Sequence, residues 1–222
     1  MEDKIKYALE QTELIRPARQ TLSTFGNSII DYYVVSELAS SLSVVREGRV
    51  IAERPRIVTP SYLTKVEGFS EHARRYIDMI ARENLNEPGV FYRYKNEAKE
   101  MNIVSEPIKR VIDRLNALLD EQDNPLSIII KGVEELWDVS LLMFIFELTR
   151  RSIPSNILDF QHKRLLDVDN SGLPQDARDY IEYLFEQVRQ DHSQGSKLAT
   201  ELNRWGVFRE YEDRFLALFQ GK

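Results

Sequence analysis

The sequence predicts an α+β fold, predominantly helical, with a small N-terminal antiparallel β-sheet or hairpin packed on a helical bundle. Three observations carry that expectation. β-Branched and aromatic residues gather early, in Ile29–Val35 and again in Leu42–Ala52. From about Ser70 onward, apolar residues recur at three- and four-residue steps. One segment, residues 126–150, reads as a long central helix whose second half is apolar nearly all round. The 222 residues are expected to form a single domain. Residues 1–60 make its β-containing part and 61–222 its helical part.

In chain order, residues 3–15 read as a helix with Ile5, Ala8, Leu9 and Thr12 on one stripe, limited by Pro17. Ser28–Glu37 reads as a strand. Leu42–Glu53 reads as a hairpin turning at Gly48, in either of two registers. A two-residue loop pairs Arg46 with Arg49; a three-residue loop with a glycine bulge pairs Val45 with Arg49. Pro55 and Pro60 lead out of the sheet. A helix capped by Ser70 carries Ala73, Tyr76, Ile77 and Ile80, and Asn86–Gly89 is a turn. Val90–Lys95 reads as a strand or extended connection. Ser105 caps the next helix, with Pro107 in its first turn and Ile108, Val111, Ile112, Leu115, Leu118 and Leu119 as the buried stripe. Asp123-Asn124-Pro125 ends it. Pro154 is expected to break the long helix that follows. Helix returns over 175–190, and the tail from Lys197 to Phe219 is helical, with Gly206 as an interruption.

Composition narrows the function classes. Hydrophobic residues at 42% and charged residues at 30% describe a globular chain rather than a disordered one. The absence of cysteine excludes disulfides, thiolate metal sites and cysteine nucleophiles, and fits a reducing cytoplasm. The first residues, Met1-Glu2-Asp3-Lys4, place charge where a signal peptide needs an apolar stretch. Val139–Phe146 falls short of the ~20 residues that span a bilayer. No membrane association is expected. The net charge of −6 is uneven: residues 1–110 hold 17 basic and 16 acidic side chains, residues 111–222 hold 13 and 20. A general nucleic-acid binder carries a net basic face, which this balance does not supply.

Several clusters are candidates for chemistry. Arg46, Arg49, Arg54 and Arg56 would form an anion site if their guanidinium groups converged; otherwise Glu37, Glu47 and Glu53 neutralise them. Tyr92, Arg93, Tyr94 and Lys95 alternate aromatic and basic groups, the pattern that stacks bases and holds phosphates in single-strand binders; in a core-covering strand the same pattern is amphipathic packing. Glu97-Ala98-Lys99 matches in three letters the E-x-K element of metal-dependent nucleases, and Asp31 is the companion carboxylate a neighbouring strand offers. Asp167-Val168-Asp169-Asn170-Ser171-Gly172 resembles the opening of an EF-hand calcium loop, but its twelfth position is Arg178, so a side-chain-capped turn is expected instead. Trp205, Phe208, Tyr211, Phe215 and Phe219 form a stripe that serves as core or as a subunit contact. His72, His162 and His192 read as surface or capping residues. No elbow, phosphate loop, dinucleotide fingerprint or zinc-protease motif occurs, and no cofactor or metal is called for. The expectation is therefore a cytoplasmic, non-enzymatic interaction or scaffold protein that forms a homo-oligomer or binds a protein partner. A nucleic-acid or phospholigand module on the hairpin arginines and a metal-dependent nuclease are the alternatives.

Overall fold

A computed structural model describes residues 2–59, 62, 82 and 89–220. The helix expected from Ser70 and the turn before Gly89 lie outside the described residues. The elements are α1 (Glu2–Gln11), β1 (Glu13–Arg16), β2 (Ser28–Ala39), β3 (Leu42–Ala52), β4 (Arg56–Val58), β5 (Gly89–Phe91), β6 (Tyr94–Val104) and α2 (Ile108–Gln122). They continue with β7 (Ser127–Lys131), α3 (Trp137–His162), α4 (Gln175–Gln190), α5 (Gly195–Trp205) and α6 (Phe208–Ala217). The chain divides into two compact units: Met1–Pro55 with Tyr92–Asn156, and Arg56–Phe91 with Ile157–Lys222.

The expected fold class needs correction. The β component is not a small N-terminal hairpin but a mixed five-stranded sheet in the order β1-β7-β2-β3-β6, and the architecture is mixed α+β without helical predominance. Strands β6 and β7 come from beyond residue 60, so the expected division into a β part and a helical part does not follow the sheet. β2 and β3 are antiparallel and close at Ser40–Ser41, where Ala39 faces Leu42. β6 adds antiparallel to β3, and β7 lies parallel to β2 and antiparallel to β1. A parallel neighbour requires a crossover, and α2 supplies it between β6 and β7.

Three local readings are overturned by this sheet. Leu42–Glu53 is not a hairpin: β3 runs through Gly48 without turning, so both expected registers fail. A Cβ on Gly48 would fall on the Tyr32 phenol and the Glu97 carbonyl, so the glycine is there for a ring to cross it. The long helix from Leu126 is split, because Ile128 and Ile130 bury on one face of the sheet and Ile129 on the other. A run apolar at every position fits a parallel strand enclosed on both faces as well as a buried helix, and periodicity does not separate the two. The first helix stops at Gln11 because Leu14 and Ile15 point to opposite faces, as strand residues do.

Ser105 is not the cap of α2 either. Pro107 holds that position in extended conformation, and Asp123 ends the helix in the left-handed region. α3 continues past Pro154, which costs one main-chain bond to Arg150, an exposed residue whose carbonyl water can serve.

The first unit has a layer on each face of its sheet. On one face Ile30, Tyr32, Val34, Val50, Ile128 and Ile130 pack with Leu141, Phe144, Ile145 and Leu148 of α3. On the other, Tyr33, Val35 and Ile129 pack with Val111, Leu115 and Leu119 of α2. The outer strands are blunted against further pairing. β1 has four residues and meets Pro17, while β6 carries Lys95 and Lys99 and a bulge where its register with β3 shifts at Glu47/Gly48.

The second unit is built on α4, α5 and α6 around Leu173, Ile181, Leu184, Phe185, Val188, Leu198 and Leu202. Gly206, at φ 75°, ends α5, and Val207 donates to the Leu202 carbonyl at 3.0 Å, so the tail is two helices. β4 and β5 pair antiparallel in this unit.

Candidate functional site

The alternation of the strands decides which charged side chains meet. Arg49 sits between Asp31 on β2 and Glu97 on β6, and Asp31 faces Ser127 on its other side. Strand periodicity puts this row on the face that α2 covers over Tyr33, Val35 and Ile129. The row itself is left partly open, with Asp31 27% and Lys99 37% exposed. Lys99 Nζ lies 3.5 Å from Asp31 Oδ1 and 3.3 Å from Glu47 Oε1, and Arg49 Nε lies 4.0 Å from Asp31 Oδ1. Asp31 Oδ2 accepts a hydrogen bond from Asn124 Nδ2 at 3.1 Å. Asp31 Oδ1 and the buried Ser127 Oγ have no hydrogen-bond partner among the described residues. At the open end Lys95 donates to Glu97 at 2.6 Å, and this bond holds the Glu97 carboxyl below its ordinary value.

The structure thus brings Lys99 to Asp31, as the nuclease pattern requires, but inserts a whole strand between Asp31 and Glu97. The Arg49 guanidinium occupies the space in which a shared divalent ion would have to sit, and a cation there meets like charge. Among the described residues no group of three or more histidine, aspartate or glutamate side chains is arranged to hold a metal ion. Asp31, Glu47 and Glu97 balance Arg49, Lys95 and Lys99, so the plate has both signs and no net pull on a polyanion.

Within the first unit, strand alternation sends Arg46 and Arg49 to opposite faces of the sheet. Arg46 donates two bonds of 2.6 Å to Glu134 and lies over the Trp137 ring at 5.4 Å. Arg49 is in the row just described. Arg54 belongs to the first unit, where its main-chain amide donates to Asn27 Oδ1 at 3.0 Å. Arg56 belongs to the second unit, where it pairs with Glu201 at 2.8 Å and stacks on Tyr180 at 4.2 Å.

Tyr92 and Tyr94 are likewise committed. Their rings stack at 6.4 Å against the core, and their hydroxyls bond Asn156 and Thr149 on α3. Arg93 lies 3.8 Å from Glu53. The aromatic tail packs on the core of the second unit through Trp205, Phe208, Tyr211 and Phe215, while the Phe219 ring tilts against His192. The Asp167–Gly172 segment is a turn: Asp169 Oδ1 accepts from the Ser171 and Leu173 amides, and its other oxygen pairs with Arg178. His162 lies in the last turn of α3, and His192 Nε2 bonds the Leu218 carbonyl at 2.9 Å. His72 lies outside the described residues.

Burial raises the Tyr32, Tyr33, Tyr92 and Tyr94 phenols above their ordinary value of 10.0, with desolvation the largest cause in each. A phenol whose pKa is higher when folded contributes stability that is intact below the unfolded value of about 10 and is lost as pH rises through the folded value. The first unit is therefore expected to lose stability above pH ~10, with tyrosine ionisation, read by near-ultraviolet absorbance, coinciding with unfolding. Tyr92→Phe should flatten that alkaline loss; an unchanged pH profile would contradict the assignment.

What strand and helix readings did not anticipate is an apolar surface on α3. Beyond Val139 an apolar run nearly all round calls for enclosure by other elements, yet Leu142 is 63% and Phe146 72% exposed. Met101 and Ile103 on β6 are also more than half exposed. No helix among the described residues is long and apolar enough to cross a membrane. Comparison of the chain with protein-family models, with curated proteins and with solved structures finds no match.

Proposed function

We propose that the protein is a non-enzymatic interaction protein that self-associates through the first unit. One observation carries this reading. The side chains suited to chemistry, Arg46, Arg49, Glu97 and Lys99, are each neutralised by an internal partner, whereas large apolar side chains of α3 stand in solvent. Exposed apolar groups at helical spacing supply the driving force for protein association, and homo-oligomers are the commonest outcome. A chain without cysteine suits a reducing cytoplasm as the setting. Light scattering across a wide concentration range is expected to give a mass that rises above the 26.0 kDa monomer. A constant monomer mass would overturn the reading.

The proximity of Lys99 to Asp31 supports a second reading, in which displacement of Arg49 lets Asp31 and Glu97 share a divalent ion and Lys99 assist the attacking water. That enzyme would cleave nucleic acid with magnesium or manganese and lose the activity in Lys99→Ala. The paired, neutral state of the plate favours the first reading, which expects no cleavage with either ion.

A further inference from the structure

We infer that the self-associating face is a single row on α3, Asp138, Leu142, Phe146 and Arg150, and that its partner is the same row of a second copy in antiparallel orientation. The inference rests on the self-association proposed above and gives it a geometry. The four residues are spaced i, i+4, i+8 and i+12 and therefore form one ridge of the helix surface. All four are exposed, with Val139 and Met143 half-buried beside them. Among the described residues the Asp138 carboxylate accepts only its neighbour's amide, that of Val139 at 3.0 Å, and neither Asp138 nor Arg150 forms an ion pair.

The order acid, apolar, apolar, base is self-complementary when reversed. In an antiparallel pair Asp138 meets Arg150 of the other copy, Leu142 meets Phe146, and the two-fold axis repeats both contacts. A parallel pair would oppose acid to acid and base to base. Ridges of i±4 spacing incline to the helix axis, so two copies that seat them in each other's grooves cross at about 50°, the commonest helix packing, and the long Arg150 side chain spans the gap toward Asp138 at each end. Such a contact closes on itself and stops at a dimer. One helix per copy is a small interface, so the dimer is expected to dissociate on dilution.

The test uses the full chain and charge reversal at exposed positions, where folding is little affected; circular dichroism checks that it is. Asp138→Arg opposes two basic ends twice per dimer, and Arg150→Asp opposes two acidic ends. Each single variant is expected to weaken the dimer about tenfold or more in sedimentation velocity. The double variant Asp138→Arg/Arg150→Asp restores the complementary order and should regain wild-type affinity. Mixing the two single variants joins an all-basic row to an all-acidic one, and should give a heterodimer tighter than either homodimer. Wild-type dimer strength in both single variants would overturn this face while leaving self-association standing. A wild-type chain that stays monomeric at all concentrations would overturn both.

Discussion

Glu201→Ala is expected to lower the stability of the second unit by about 3–5 kcal/mol, the cost of stranding a buried charge. Glu201 is 4% exposed and accepts from Arg56 Nη2 at 2.8 Å and from the Trp205 indole at 3.1 Å. Arg56 is held besides by the Tyr62 hydroxyl at 2.7 Å and the face of Tyr180. Once the carboxylate is gone, the partners that remain to the guanidinium among the described residues are neutral, in a poorly hydrated site. The pair itself need not be stabilising, because desolvating two ions offsets much of their attraction. Arg56→Met combined with Glu201→Leu should therefore recover most of the loss, and Glu201→Gln, which keeps an acceptor, should fall between. Denaturant unfolding of the four proteins measures this. A Glu201→Ala variant no less stable than a surface substitution would show that Arg56 is solvated.

The second large effect is expected at Gly48. Valine is a better strand former than glycine, so propensity alone predicts that Gly48→Val stabilises β3. Packing reverses the sign. The Tyr32 ring crosses the Gly48 backbone to donate to Asn96 Oδ1 at 3.0 Å, and an added Cβ would overlap both that ring and the Glu97 carbonyl. Tyr32 is fully buried and packs beside Trp137 at 6.2 Å, so it has no room to yield. Overpacking of this kind costs about 3 kcal/mol. Shortening the ring in Tyr32→Leu should make Gly48→Ala cheaper than in the wild type, a coupling that a double-mutant cycle reads directly. Strict additivity would mean that the two residues do not touch.

The same two sites show where the sequence was legible. The β2 strand, the helix over 175–190 and the interruption at Gly206 were readable because each rests on local chemistry: β-branched runs, a 3.6-residue period, a glycine that accepts positive φ. Gly48 was misread for the same reason. A glycine between charged residues looks like a turn unless one knows that a tyrosine from the neighbouring strand lies across it. Ile128-Ile129-Ile130 was misread because a run apolar at every position has no period to betray its geometry. The candidate plate was half legible. Asp31 and Lys99 were paired from the sequence, but register alone placed Arg49 between Asp31 and Glu97. The α3 row was written in the sequence as opposite charges around Leu142 and Phe146, and was hidden by the assumption that an apolar helix must be enclosed.

By itself, then, the chain determined its own local conformations and the chemistries it lacks, since backbone preference and side-chain inventory act within a few residues. Which charges neutralise one another, which strand divides two carboxylates and which side of an apolar helix meets water were decided only in the tertiary structure. Those outcomes depend on strand order and register, and long-range pairing brings together residues whose separation along the chain carries no trace of the meeting.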